Sequence, residues 1–167
     1  MMTDEQNRYL SKEYAEAIRY MNNAKETLKR SGKRDDGLYK DEKYVRSACG
    51  IAYLGVLIAL DAWLTLKGVK IPSKRNHTNI DFYLTNISRL DMKLLAHLNS
   101  VYNILHLDGY YRKETCIKII EGGFDRAYYI IDKIKPEKLI DVPETRGDKA
   151  KIIWDKMMIS LAGFFRL

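Results

Sequence analysis

Between residues 44 and 66 the chain is apolar over the length of a long helix, and small residues thread it. Ala48, Ala52, Gly55, Ala59 and Ala62 recur at steps of four and three, which places them on one helical face. Large residues (Ile51, Leu54, Leu57, Ile58, Trp63 and Leu64) cover most of the rest. A helix that is apolar nearly all round is buried, and a small-residue stripe lets neighbouring backbones approach closely. The pattern predicts the central element of an all-α, up-and-down antiparallel bundle of four to five helices.

The flanking segments fit that bundle. Over residues 4–29, Leu10, Tyr14, Ala17, Met21, Ala24 and Leu28 alternate steps of four and three, an amphipathic helix. Thr3 and Gln6 have capping-box spacing, and Asp4 and Glu5 suit the positive end of the helix dipole. Ser31-Gly32 stops this helix, and Asp35-Asp36-Gly37 signals a turn before the central helix, 41–67. After the Pro72 loop a short helix is expected over 79–87. Another begins at Ser88, with Asp91 at the capping-box distance and Leu94, Leu98, Val101 and Leu105 as its buried stripe. Asp108-Gly109 is read as its end. A further helix over 113–134 carries Ile117, Ile120, Phe124, Ala127, Ile131 and Ile134, with Gly122-Gly123 inside it. Each glycine costs roughly 1 kcal/mol against alanine in an exposed helix, so a close helix crossing or a kink is expected there. Residues 1–135 thus read as the bundle, 136–147 as a linker with two prolines, and 148–167 as a C-terminal apolar helix. That last segment, with Ile152, Trp154, Met157, Phe164 and Phe165, is expected to pack on the bundle or on a partner.

Charge and chemistry narrow the picture less. A formal charge of +7 and a pI near 9.3 favour acidic partners without requiring them. Cys49 and Cys116 fall inside predicted helices and no secretory signal precedes them, which reads as buried, reduced thiols in a cytoplasmic protein. Arg46 flanks the central apolar run and Asp61 interrupts it, leaving it short of the roughly 20 residues of a membrane span. No Gly-rich phosphate loop, zinc spacing or E-x-x-H metal motif is present, so no catalytic residue, metal or cofactor is assigned. His97 and His106 sit about half a turn out of phase on one predicted helix, with His97 read as an exposed or rim residue. Asp61 needs a hydrogen-bonding or ionic partner on a neighbouring helix.

The run "YAEAIRYMNNAKETL", followed after a loop by "YVRSACGIAYLGVLIALDAWLTLKG", resembles the first two helices of HEPN (higher eukaryote and prokaryote nucleotide-binding) domains. The later "LLAHLNSVYNILHLDGYYRKETCIKIIEGGFDRAYYIIDKI" resembles their last two helices, with a Tyr-containing turn between them. The resemblance covers residues 9–134. Catalytic HEPN ribonucleases carry an Arg four to six residues before a His. Here Arg75 is too close to His77, Arg89 is too far from His97, and Asn99, Ser100 and Val101 stand where an Arg should precede His106. The resemblance therefore implies a non-catalytic member, a homodimer, with RNA, a nucleotide or a nucleotidyltransferase as partner.

In an up-and-down bundle alternate loops share an end, which predicts that Arg30, Lys33 and Arg34 lie beside Arg112 and Lys113. His106, Tyr110 and Tyr111 would add aromatic faces to that basic end, a combination that holds phosphates and stacks bases. Solvated loop ends are the plainer reading of the same cations. A nucleotide- or nucleic-acid-associated interaction module is the favoured function. The alternatives are an unconventional ribonuclease centred on His106, and a membrane-surface or structural protein using its C-terminal helix.

Overall fold

The structure is a computed structural model that describes residues 2–72 and 79–137. The expected C-terminal helix, most of the expected linker, and Arg75 and His77 lie outside the described residues. Five α-helices follow in order: α1 (Asp4–Arg30), α2 (Glu42–Leu66), α3 (Ile80–Ser88), α4 (Met92–Val101) and α5 (Ile117–Asp132). Between α4 and α5 the backbone continues as a π-helical stretch, Tyr102–Tyr111. Among the described residues the only extended pairing is two isolated bridges, so the fold is an all-α bundle.

The start of α1 is fixed by its sequence. The Gln6 amide donates to the Thr3 hydroxyl, and the Thr3 amide donates to the Gln6 side chain. At the other end the Ser31 hydroxyl donates to the Asp41 carbonyl, and the Asp41 amide donates back to the hydroxyl oxygen. Further along the pair, Gly55 faces the Ala17 carbonyl and Tyr20. That register, Ser31 with Asp41 and Ala17 with Gly55, is the register of two antiparallel helices. A Cβ on Gly55 would come within 3.2 Å of the Ala17 oxygen, which is the close approach a small-residue stripe permits. Ala48, Ala52, Gly55, Ala59 and Ala62 are all buried, as are Leu10, Ala17, Met21, Ala24 and Leu28 opposite.

The central helix is nevertheless not covered all round. Leu54 is 50% exposed, and Ile51, Leu57 and Ile58 are half-buried. The full burial expected of α2 gives way to an apolar face that opens on a cleft. By length and composition α2 is the single described helix able to cross a membrane, and its small-residue face belongs to the core.

Three boundaries differ from expectation, each for a local reason. Ser88 closes α3 rather than opening α4, and the Asp91 carboxylate caps α4 by accepting from the Leu94 amide at 2.8 Å. Asp108-Gly109 does not end the helix; the turn widens there, with the Arg112 amide bonding the Leu107 carbonyl five residues back at 2.9 Å. The last helix begins at Ile117 instead of 113, because the preceding backbone bonds to the α1–α2 loop. The Tyr39 amide donates to the Thr115 carbonyl, the Ile117 amide donates to the Gly37 carbonyl, and Lys113 adopts φ of 64°. Cys116 is therefore half-buried outside the helix, whereas Cys49 is buried with its thiol pushed up to about 12 by burial.

Asp91 also receives the Lys133 ammonium at 2.9 Å, tying α4 to the end of α5. The Leu94 amide and then Lys133 hold its carboxyl below the ordinary carboxylate value. A lowered acid pKa stabilises the fold above the unfolded value and is lost as pH falls through the folded one. Asp91→Ala is expected to cost about 1 kcal/mol at pH 7, a difference that shrinks in acid as the ion pair is lost and the cap becomes a neutral acceptor. Urea unfolding of both proteins across pH 2 to 7 checks this; a difference independent of pH would contradict it.

Candidate functional site

A cleft of about 780 Å³ opens between α2, the start of α3 and the π-helical stretch. Long π-helical segments are rare and frequently mark functional sites. Tyr102, His106 and Tyr110 succeed one another at steps of four along this one. The His106 imidazole lies 5.2 Å from the Tyr102 ring and 6.2 Å from the Tyr110 ring, with planes within 27° of parallel in both pairs. Tyr53 from α2 stacks on the same imidazole at 4.6 Å, and Tyr111 meets it edge-on at 5.2 Å. His106 is thus the centre of a five-ring cluster, with Tyr110 and Tyr111 exposed at its mouth.

Two glycines bring these parts together. A Cβ on Gly109 would fall 2.5 Å from the Cys49 sulfur, so the π-helical stretch can rest on α2 only without a side chain there. A Cβ on Gly50 would reach 3.2 Å from the Tyr110 ring, which therefore lies against the α2 backbone. Arg46 fastens the far end: its Nε donates to the Tyr110 carbonyl at 2.9 Å, and its guanidinium sits 5.8 Å from the Tyr110 ring centroid. At the opposite end Tyr83 lines the cleft and donates its hydroxyl to Asp61 Oδ1 at 2.8 Å. This is the partner on a neighbouring helix that the position of Asp61 required.

The cleft is uncharged. Among the described residues that line it there is no Asp, Glu, Lys or Arg; the polar groups are His106, tyrosine hydroxyls, Ser47 and Asn79. Burial lowers the His106 pKa, so at neutral pH the imidazole is neutral and offers one donor and one acceptor. Burial, then Tyr102, raises the Tyr53 pKa and keeps its hydroxyl protonated. Such a lining offers stacking faces and a few neutral hydrogen-bonding groups.

Of the residues singled out from sequence, His106, Tyr110 and Tyr111 come together here. The cations take other places. Arg112 pairs with Asp108 at 2.8 Å, Lys113 with Glu42 at 3.2 Å, Lys33 with Glu121 at 2.7 Å and Arg34 with Asp36 at 2.6 Å. Arg30 is exposed at the end of α1. The α1–α2 loop does lie beside the segment before α5, as the bundle topology predicted, but acids interleave its cations. Tyr53 and Tyr102 line the cleft, and Arg46 borders it through Tyr110; none of them was expected there, and the four-residue spacing of Tyr102 from His106 was the available signal. His97 is half-buried at the rim between α4 and α5, where it stacks on Tyr129. Among the described residues no group of three His, Cys, Asp or Glu is placed to hold a metal ion.

Comparison with known proteins places this architecture. No curated protein matches the chain. A solved structure, a protein of unknown function from Dyadobacter fermentans, is 36% identical and superposes with a TM-score of 0.65. The match covers 75% of this chain and 95% of that one. The family described as "Domain of unknown function (DUF5618)" matches residues 12–136, which include every described residue of the cleft, and the chain belongs to that family.

Proposed function

We propose that this protein is a non-catalytic, HEPN-like binding module, and that its His106 cleft takes the planar base of a nucleotide or of single-stranded RNA. One observation carries the reading: four tyrosine rings converge on a neutral imidazole in an uncharged cleft whose mouth presents Tyr110 and Tyr111. Bases stack on such rings with little regard to sequence, at about 1–3 kcal/mol per base. Arg46 at the rim supplies a cation for an attached phosphate. The HEPN resemblance of residues 9–134 supports the same reading. Phosphodiester cleavage, by contrast, needs preorganised charge where the transition state develops it, and the described cleft lining has none. The exposed Leu54, Tyr110 and Tyr111 also suit contact with a second copy of the chain at the cleft mouth.

The test is calorimetric titration with the four ribonucleoside monophosphates and a short single-stranded RNA, with light scattering on the same samples. Tyr111 is 60% exposed, so Tyr111→Ala leaves the fold intact and is expected to weaken binding by about tenfold. RNA binding should also fall with salt as phosphates release counterions. Absence of binding at low salt by every probe would overturn the reading and direct attention to protein partners.

A further inference from the structure

A second aromatic site, independent of the cleft, lies where α4 meets α5. Lys93 and His97 are one turn apart on α4; Arg126 and Tyr129 are on α5, and Lys133 caps its end. The His97 imidazole stacks on the Tyr129 ring with centroids 3.8 Å apart and planes 19° from parallel. The ammonium groups of Lys93 and Lys133 stand 5.2 and 5.4 Å from the Tyr129 ring centroid. Arg126 uses one Nη to donate to the Gly122 carbonyl at 3.0 Å.

Charge here is unbalanced, unlike at the loop end, where Lys33, Arg34, Arg112 and Lys113 each meet an acid. The charged groups that act on His97 are Arg126, Lys93 and Lys133, opposed by Asp91 alone. Asp91 is already engaged with Lys133 and with the Leu94 amide. His97 Nδ1 is buried without a hydrogen-bond partner. Burial first, and then the three cations, lower the His97 pKa, so the ring is neutral at pH 7. Three cations gathered at one aromatic pair with one carboxylate repel each other, and an incoming anion would relieve that repulsion.

We propose that Lys93, Arg126 and Lys133, at the edge of the His97–Tyr129 stack, form a binding site for a phosphate dianion, free or as a phosphomonoester. Lys93 and Arg126 make no ion pair among the described residues, and their two positive charges match the charge of about −1.5 to −2 that a phosphomonoester carries at pH 7. The guanidinium supplies a planar fork for two oxygens and the lysines supply point charges. Lys93 and Arg126 are exposed, so the anion and whatever carries it enter from solvent.

The experiment follows the His97 ring resonances by NMR while inorganic phosphate is added to the full-length protein, against chloride at matched ionic strength. Phosphate is expected to move them saturably, to leave His106 in place, and to raise the pH at which His97 protonates, since a bound anion favours the imidazolium. The Lys93→Ala, Arg126→Ala double variant alters two exposed side chains, and it should lower phosphate affinity by about tenfold or more. Glycerol 3-phosphate, a monoester with no base, distinguishes the sources: saturation like that of phosphate assigns a phosphomonoester, and a response to phosphate alone assigns the free ion. Resonances that stay fixed, that move equally in chloride, or that respond unchanged in the double variant would overturn the proposal. None of these results depends on the cleft, whose own test reads RNA and nucleotide binding through Tyr111.

Discussion

Gly123→Ala is expected to destabilise the bundle by about 2–3 kcal/mol, while Gly122→Ala, one residue earlier, stabilises it by up to about 1 kcal/mol. Both glycines lie inside α5 with ordinary helical backbone, so the helix itself gains from alanine at either position. Their surroundings decide the sign. A Cβ at Gly123 would sit 2.6 Å from Ile104 Cγ2 and 2.7 Å from Leu105 Cδ2. Leu105 is fully buried and cannot retreat without disturbing the core. At Gly122 the nearest atom is a terminal nitrogen of Arg126 at 3.5 Å, an ordinary contact with a side chain free to move. Denaturant unfolding of the two single variants checks the prediction, and two effects of the same sign would refute it. Adding Ile104→Ala to Gly123→Ala should recover part of the loss, because that half-buried methyl is one of the two clashes.

The glycine pair shows what was legible in the sequence and what was not. Helical periodicity identified the crossing, because two glycines amid Ile117, Ile120, Phe124 and Ala127 make little sense in an uncrowded helix. It could not say which glycine faces the crossing. Apolar stripes at steps of three and four were read correctly on α1, α2, α4 and α5, since burial of one face is what such spacing encodes. The widened turn at Asp108-Gly109 escaped because its cause is not local. Gly109 is accommodated by close packing on Cys49, sixty residues earlier, and a turn signal read alone predicts a break.

The candidate site divides in the same way. His106, Tyr110 and Tyr111 are near in sequence and were found together. Tyr53 joins them only through the α2–π contact, which no spacing reveals. The basic end was legible as topology and not as pairing. Topology brought the α1–α2 loop to the start of α5, but a sequence does not say that Glu42, Glu121, Asp36 and Asp108 will meet those cations. Lys93, Arg126 and Lys133 come together from two helices, with Lys133 alone of the three ion-paired among the described residues, to Asp91, and no run of basic residues announces them.

Tyr83→Phe should cost about 2 kcal/mol at pH 7 and progressively less as the pH falls toward 4. Asp61 sits on the otherwise apolar central helix, and the Tyr83 hydroxyl, at 2.8 Å, donates to one of its oxygens. Burial raises the Asp61 pKa, and the Tyr83 hydrogen bond partly offsets that rise. Removing the hydroxyl leaves a half-buried carboxylate with less compensation, so the charged form becomes costlier and its pKa rises further. The raised value means that the folded state binds more protons than the unfolded state between the ordinary carboxylate value and the folded one. Asp61 therefore lets stability increase as pH falls through that window, and the increase is larger in Tyr83→Phe than in the parent. Below the window the carboxyl is neutral, and the variant lacks only a neutral hydrogen bond, worth about 1 kcal/mol. Partial exposure of Asp61 to solvent holds the neutral-pH cost to the lower part of the range for hydrogen bonds to charged groups. Urea unfolding of both proteins at pH 4, 5.5 and 7 measures this, with Asp61→Asn as the control that should flatten the dependence. A cost that stays constant, or grows in acid, would show that Tyr83 acts through packing alone. The same bond fastens the start of α3 to α2, so Tyr83→Phe should also loosen the closed end of the cleft and weaken any ligand that Tyr111→Ala weakens.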